Sequence, residues 1–118
     1  MATDLIISPT NSNRVIVVCG NLESSSNGLY KTENGGSTWR KSPEFPVITS
    51  NLLLGKMRID VCESEPSFMF TTLGYGDYNK NFNTATWSYR STNNGDLWLT
   101  STQSNWASYN GWYSHDIA

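Results

Sequence analysis

Apolar residues along this chain fall in short runs, and clusters of turn-forming residues cut one run from the next. Leu5-Ile6-Ile7 and Val15-Ile16-Val17-Val18 flank the polar stretch Ser8-Pro9-Thr10-Asn11-Ser12-Asn13-Arg14. β-Branched and aromatic residues suit a pleated, half-buried surface, whereas Pro, Asn, Ser and Gly favour turns. Strands are therefore predicted at about 4–8, 14–20, 28–33 and 38–42, and again at about 57–62, 67–73, 86–91 and 97–101. No apolar spacing of helical period runs far enough to predict a helix, and Leu52-Leu53-Leu54 is too short to count as one.

The predicted strands form two copies of one unit. Thr32-Glu33-Asn34-Gly35-Gly36-Ser37-Thr38-Trp39 and Ser91-Thr92-Asn93-Asn94-Gly95-Asp96-Leu97-Trp98 share the pattern Ser/Thr-x-Asn-x-Gly-x-x-Trp at an offset of 59 residues. Tyr30-Lys31 ahead of the first octad matches Tyr89-Arg90 ahead of the second. Upstream, the strand–turn–strand layout that starts at Leu5 recurs from Ile59, at an offset of 54. The two offsets place a five-residue insertion in the second copy, within the Tyr- and Asn-rich stretch from Gly74 to Trp87. His115-Asp116-Ile117-Ala118 matches Thr3-Asp4-Leu5-Ile6 and reads as the opening of a third copy.

Four-stranded units that repeat every ~50–60 residues predict β-propeller blades. The expected fold is all-β: two four-stranded antiparallel blades at 3–56 and 57–111, with 112–118 starting the innermost strand of a third. A blade covers its faces only against neighbouring blades, so two of them leave apolar faces in water. The expectation is an incomplete propeller, or a unit that repeats in a longer protein or in an oligomer. Its partners are then further blades, from the same chain type or from a missing parent sequence. Copies joined head to tail close a ring, or continue as a filament where the rotation does not close.

Composition narrows the function. Only 15% of residues are charged, the formal net charge is -2, and the eight Lys and Arg never form a run. A basic patch is what nucleic acids and anionic membranes require, so neither is expected as a partner. No segment approaches the ~20 apolar residues of a membrane span. Met1-Ala2-Thr3-Asp4 carries neither the basic nor the apolar region of a signal peptide. Cys19 and Cys62 lie far apart in sequence and near no His, which fits buried structural thiols or a disulfide better than a metal site. His115, the sole histidine, has no predicted partner that would make it a base or a ligand.

The octads resemble the Asp-box, or BNR, repeat of sialidases, sortilin-type receptors and secreted bacterial propellers. That family's pattern is Ser/Thr-x-Asp-x-Gly-x-x-Trp, on the turn between the third and fourth strands of a blade. Thr32, Asn34, Gly36 and Trp39, then Ser91, Asn93, Gly95 and Trp98, fill its places, with Asn for Asp in both copies. Asn keeps the side-chain acceptor for backbone N–H groups and tolerates positive φ, so the turn is expected to survive. Ile7-Ser8-Pro9-Thr10-Asn11 and Gly111-Trp112-Tyr113 also resemble sortilin-like and secretion-linked propellers, although Ser114 stands where the family has Asp. The resemblance implies an extracellular or cell-surface location. It also implies structural octads on the propeller rim, each Trp packing beneath its turn.

A sialidase needs an arginine triad, a Tyr/Glu pair and an acidic proton donor; Arg58-Ile59-Asp60 lacks the Pro of the family's Arg-Ile-Pro motif. Arg14, Arg40 and Arg90 flank octads or open a strand, where solvated charges are expected. A glycosidase needs two carboxyl groups across a cleft. Asp60 and Asp116 lie on or beside predicted innermost strands, but their counterparts in the first copy are Ile6 and Asp4. No catalytic residue, cofactor or metal is therefore expected. The chain reads as a non-enzymatic scaffold or recognition module; the alternative is a piece of a BNR-repeat glycoside hydrolase whose catalytic residues lie elsewhere. Aromatics set among Asn, Ser and Thr, namely Tyr75, Tyr78 and Trp87 and then Trp106, Trp112 and Tyr113, suit contact with glycan or protein, or packing on the next blade.

Overall fold

The computed structural model describes residues 1–20, 26–45, 52–77, 83–104 and 115–118. These residues hold eight strands and no helix: β1 (Ala2–Ser8), β2 (Asn11–Cys19), β3 (Gly28–Thr32), β4 (Arg40–Lys41), β5 (Leu52–Val61), β6 (Met69–Asp77), β7 (Asn83–Ser91) and β8 (Leu99–Ser104). They make two four-stranded antiparallel sheets, β1-β2-β3-β4 and β5-β6-β7-β8, each strand pairing with the next in sequence. Among the described residues no helix is long and apolar enough to cross a membrane.

The two sheets repeat one another in register. Ile7 opposes Val15 and Val15 opposes Thr32, just as Val61 opposes Met69 and Met69 opposes Ser91. The offsets are thus 54 on the first two strands and 59 on the third. The surplus lies in one hairpin. Eight residues separate Cys19 from Gly28, and 13 separate the matching Leu73 and Trp87. The added length lets Gly74–Asp77 pair with Asn83–Thr86 as further rungs of β6 and β7.

Several strand limits differ from expectation, and three of the differences have a clear physical cause. Leu52-Leu53-Leu54 joins β5, because the lengthened β6 offers Asp77, Gly76 and Tyr75 as ladder partners that the first sheet lacks. The fourth strand of the first sheet shrinks to Arg40–Lys41, close to Pro43, which has no N–H to donate. His115–Ala118 forms no strand, since a strand needs a ladder neighbour and none pairs with it among the described residues; 112–114 lie outside those residues.

The core lies between the sheets. One face of the first sheet buries Ile16, Val18 and Leu29; the facing side of the second buries Met57, Ile59, Met69, Leu73, Tyr89 and Trp98, all at 5% exposure or less. Phe45, just beyond β4, wedges against this side, with ring centroids 4.5 Å from Tyr89 and 6.1 Å from Trp98. The first strands of the two sheets run beside each other. The Thr3 hydroxyl donates to the Met57 carbonyl at 2.8 Å, and the Ile59 amide donates to the Asp4 carboxylate at 3.1 Å. Near this seam the backbones nearly touch, since a Cβ on Gly20 would collide with the Gly55 carbonyl oxygen.

Equivalent positions in the two sheets therefore have unequal weight. Ile16 is 1% exposed and its counterpart Phe70 is 40% exposed. Ile16→Ala is expected to cost about 2–5 kcal/mol, and Phe70→Ala under about 1 kcal/mol, read as the loss of unfolding free energy in urea titrations of the two variants as single chains.

Candidate functional site

The two octads close identical turns. In the first, the Thr32 hydroxyl donates to the Asn34 amide oxygen at 2.9 Å and accepts from the Gly36 N–H at 3.0 Å. The same amide oxygen accepts from the Thr38 N–H at 2.9 Å. In the second, Ser91 donates to Asn93 at 2.8 Å, Gly95 N–H donates to Ser91 at 2.9 Å, and Leu97 N–H donates to Asn93 at 3.0 Å. Each turn is pinned to the hairpin between the first two strands of its own sheet: Gly35 N–H reaches the Asn13 carbonyl at 2.9 Å, and Asn94 N–H the Ser67 carbonyl at 3.1 Å. The hydroxyl at position one and the amide oxygen at position three of each octad are thus consumed within the turns.

Positive φ falls elsewhere than expected. It occurs at the fourth and fifth octad positions, Gly35 (66°) and Gly36 (94°), then Asn94 (59°) and Gly95 (76°), and not at Asn34 or Asn93. The third-position side chain bonds forward to the amide four residues on, and the chain turns back within the three residues between, the first two of which carry the positive φ.

The two tryptophans part company. Trp98 is 2% exposed and Trp39 is 45% exposed, although each indole lies against its own glycine, 3.6 Å and 3.8 Å from where a Cβ on Gly95 or Gly36 would stand. The difference comes from the neighbour. The first sheet covers the second octad: a Cβ on Gly95 would stand 2.5 Å from Ile16 Cδ1. Around Gly36, only Trp39 among the described residues comes within 4 Å of a Cβ.

A polar line crosses the sheet interface beside this contact. Lys31, 3% exposed, is held by Glu33 at 2.6 Å in its own sheet and by Asp96 at 2.8 Å in the other. Arg14 completes the cluster at 2.9 Å from Glu33, and Arg40 reaches Asp96 at 3.4 Å. Burial pulls the Glu33 carboxyl upward, but hydrogen bonds and charge from Lys31 and Arg14 outweigh it and hold the group below its ordinary range. Sequence patterning missed Asp96 and Phe45. Asp96 occupies an octad position that holds Ser37 in the other copy, and Phe45 lies outside the segments that match between the copies.

A second polar line joins the first strands. Arg58 lies 3.5 Å from Asp4 and 2.8 Å from Asp116. The bond from Arg58 holds the Asp116 carboxyl below its usual range and raises the guanidinium's own value. Asp4 and Asp116 each accept the following backbone N–H, from Leu5 and Ile117, both at 2.9 Å. The match between 3–6 and 115–118 thus extends to local geometry. Asp60, expected near an innermost strand, caps the Val61 N–H at 2.8 Å. Arg58 is thus engaged by two carboxylates.

Cys19 and Cys62 are free thiols, half-buried rather than buried. Among the described residues no three His, Cys, Asp or Glu side chains gather as a metal site. Of the expected ligand-contact aromatics, Trp87 packs on the core with its ring centroid 6.5 Å from Tyr89, and Tyr75 lies on the lengthened β6. Tyr78, Trp106, Trp112 and Tyr113 lie outside the described residues. One open surface among the described residues is the outer face of the first sheet. A groove of about 310 Å³ there is lined by Val17, Cys19, Ser26, Tyr30 and Trp39, with the Lys41 ammonium 5.6 Å above the Tyr30 ring. Leu5 and Ile7, 54% and 56% exposed, extend the apolar face.

Gly95→Ala meets both a left-handed backbone and Ile16, and is expected to cost about 2–4 kcal/mol. Gly36→Ala meets the backbone term alone, about 1–2 kcal/mol, so guanidinium midpoints separate the two variants. The depressed Glu33 carboxyl stabilises the fold at neutral pH, and that contribution is lost as pH falls through its folded-state value. Stability followed by tryptophan fluorescence therefore declines on acidification, and Glu33→Gln makes the decline shallower.

Compared with family models, curated proteins and solved structures, the chain matches none.

Proposed function

We propose that this chain is a non-enzymatic β-propeller scaffold, two adjacent blades of an extracellular recognition module that binds through its open sheet face. The observation that carries this reading is the seam between first strands. Asp4, Arg58 and Asp116 occupy the same place in three successive copies of the repeat, and neighbours bond one another across the seam. Blades set radially about a central axis juxtapose their first strands in this way. A loose pair of sheets has no reason to keep equivalent residues opposite each other.

Protein suits the open face better than glycan as the bound class. Leu5, Ile7, Val17 and Cys19 surround Tyr30 and Trp39, an aliphatic surface with an aromatic centre. Sugar hydroxyls need polar partners beside the stacking ring, whereas the centre of a protein interface is apolar and rich in aromatics. The octads support a scaffold role, because their hydroxyls and amides close turns.

Fluorogenic sialosides and neutral glycosides incubated with the chain test whether it carries hydrolase chemistry itself. Turnover that appears only in a longer protein containing this chain would favour the alternative of a hydrolase with its catalytic residues elsewhere. No turnover above buffer is expected. Turnover abolished by Arg58→Ala or Asp60→Asn would overturn the scaffold reading in favour of a hydrolase.

A further inference from the structure

We infer that the two outer sheet faces bind each other between copies of this chain, reproducing head to tail the contact that already joins its two sheets. The inference rests on the blade reading above and names the partner of its open face. The internal interface is the template. Ile16, Lys31 and Arg40 of the first sheet meet Gly95, Asp96 and the Trp98 region of the second. By the register, the counterparts of the first set on the outer face of the second sheet are Phe70, Arg90 and Leu99. The counterparts of the second set, on the outer face of the first sheet, are Gly36, Ser37 and Trp39.

Around the octad contact, both outer faces are open where the template is closed. Phe70 is 40% and Leu99 50% exposed, Arg90 is exposed, and Trp39 is 45% exposed. The Thr72 and Thr86 end of the second sheet's outer face is buried, so the open part coincides with the part that the internal contact uses around the octad. In the joined state Phe70 seats on Gly36 beside Trp39, as Ile16 seats on Gly95 beside Trp98. Arg90 reaches the Ser37 hydroxyl where Lys31 reaches Asp96.

Charge along the seam fits the same geometry. Arg58 bonds Asp116, which holds in the His115–Ala118 segment the place that Asp4 holds in Thr3–Ile6. An incoming first strand displaces His115–Ala118, and its Asp4 replaces Asp116 on Arg58. The ladder then alternates aspartate and arginine through every copy. A groove of about 410 Å³ between this segment and the sheet, bordered by Val61, Phe70, Ile117 and Ala118, lies on the entry path. Such an interface is heterologous, so each copy carries one of each face.

Light scattering on a sizing column, with two blocked variants, tests the inference. Wild-type chain is expected as a multimer or polymer. Phe70→Glu blocks one face and Trp39→Glu the other, so each variant alone runs as a single chain, and their equimolar mixture gives a species of twice that mass. Unchanged far-ultraviolet circular dichroism shows that the variants fold. Arg90→Glu and Leu5→Glu, farther out on the same two faces, repeat the pattern should either first variant fail to fold. A single-chain wild type, a multimeric Phe70→Glu chain, or a mixture that stays single would each overturn the inference. None of these bears on glycoside turnover, which decides the scaffold reading separately.

Discussion

The contact of Ile16 with Gly95 is the point on which the structure turns. A four-stranded sheet has two faces, and neither sheet here can enclose apolar residues alone. The sheets gain their core by stacking, and the closest approach falls where a side chain of one meets the backbone of the other's octad turn. Any side chain at position 95 would stand in the way of Ile16. The left-handed conformation at the same residue makes glycine necessary for a second, independent reason. The turn thus closes its own hairpin and also provides a flat place for the neighbouring sheet to land.

Buried charge beside that contact sets the alignment of the sheets. Lys31 is nearly inaccessible and has one carboxylate partner in each sheet. Desolvating an ammonium is costly unless its partners are well placed, so a slipped stacking that separated Lys31 from Asp96 would leave a poorly compensated charge. Apolar burial drives the sheets together, and this pair, with the Asp4–Arg58–Asp116 ladder at the inner seam, selects one arrangement among those that bury similar area. The Asp4–Arg58–Asp116 line runs between equivalent positions of the repeat, whereas the Lys31 line depends on Asp96, which stands where the first octad has Ser37.

Much of this was legible in the sequence, because a repeat exposes its own register. The offsets of 54 and 59 reappear in the strand pairing, and the hydroxyl and amide at octad positions one and three bond as their chemistry suggests. What could not be read was which copy of each residue becomes buried. Trp39 and Trp98 are equivalent in pattern, as are Lys31 and Arg90, yet one of each pair is enclosed and the other open. That difference belongs to the neighbouring sheet and leaves no trace in local sequence. Phe45 was not legible because it lies outside the segments that match between the copies, and Leu52-Leu53-Leu54 because its strand partner exists only through the insertion in β6 and β7.

The account stands on the stacking of the two sheets through the second octad, and methyl-detected nuclear Overhauser spectroscopy addresses it most directly. The account predicts cross-peaks from the Ile16 δ1 methyl to the Gly95 α protons and the Met69 ε methyl. Their absence in a folded chain whose strand pairing is otherwise intact would contradict it.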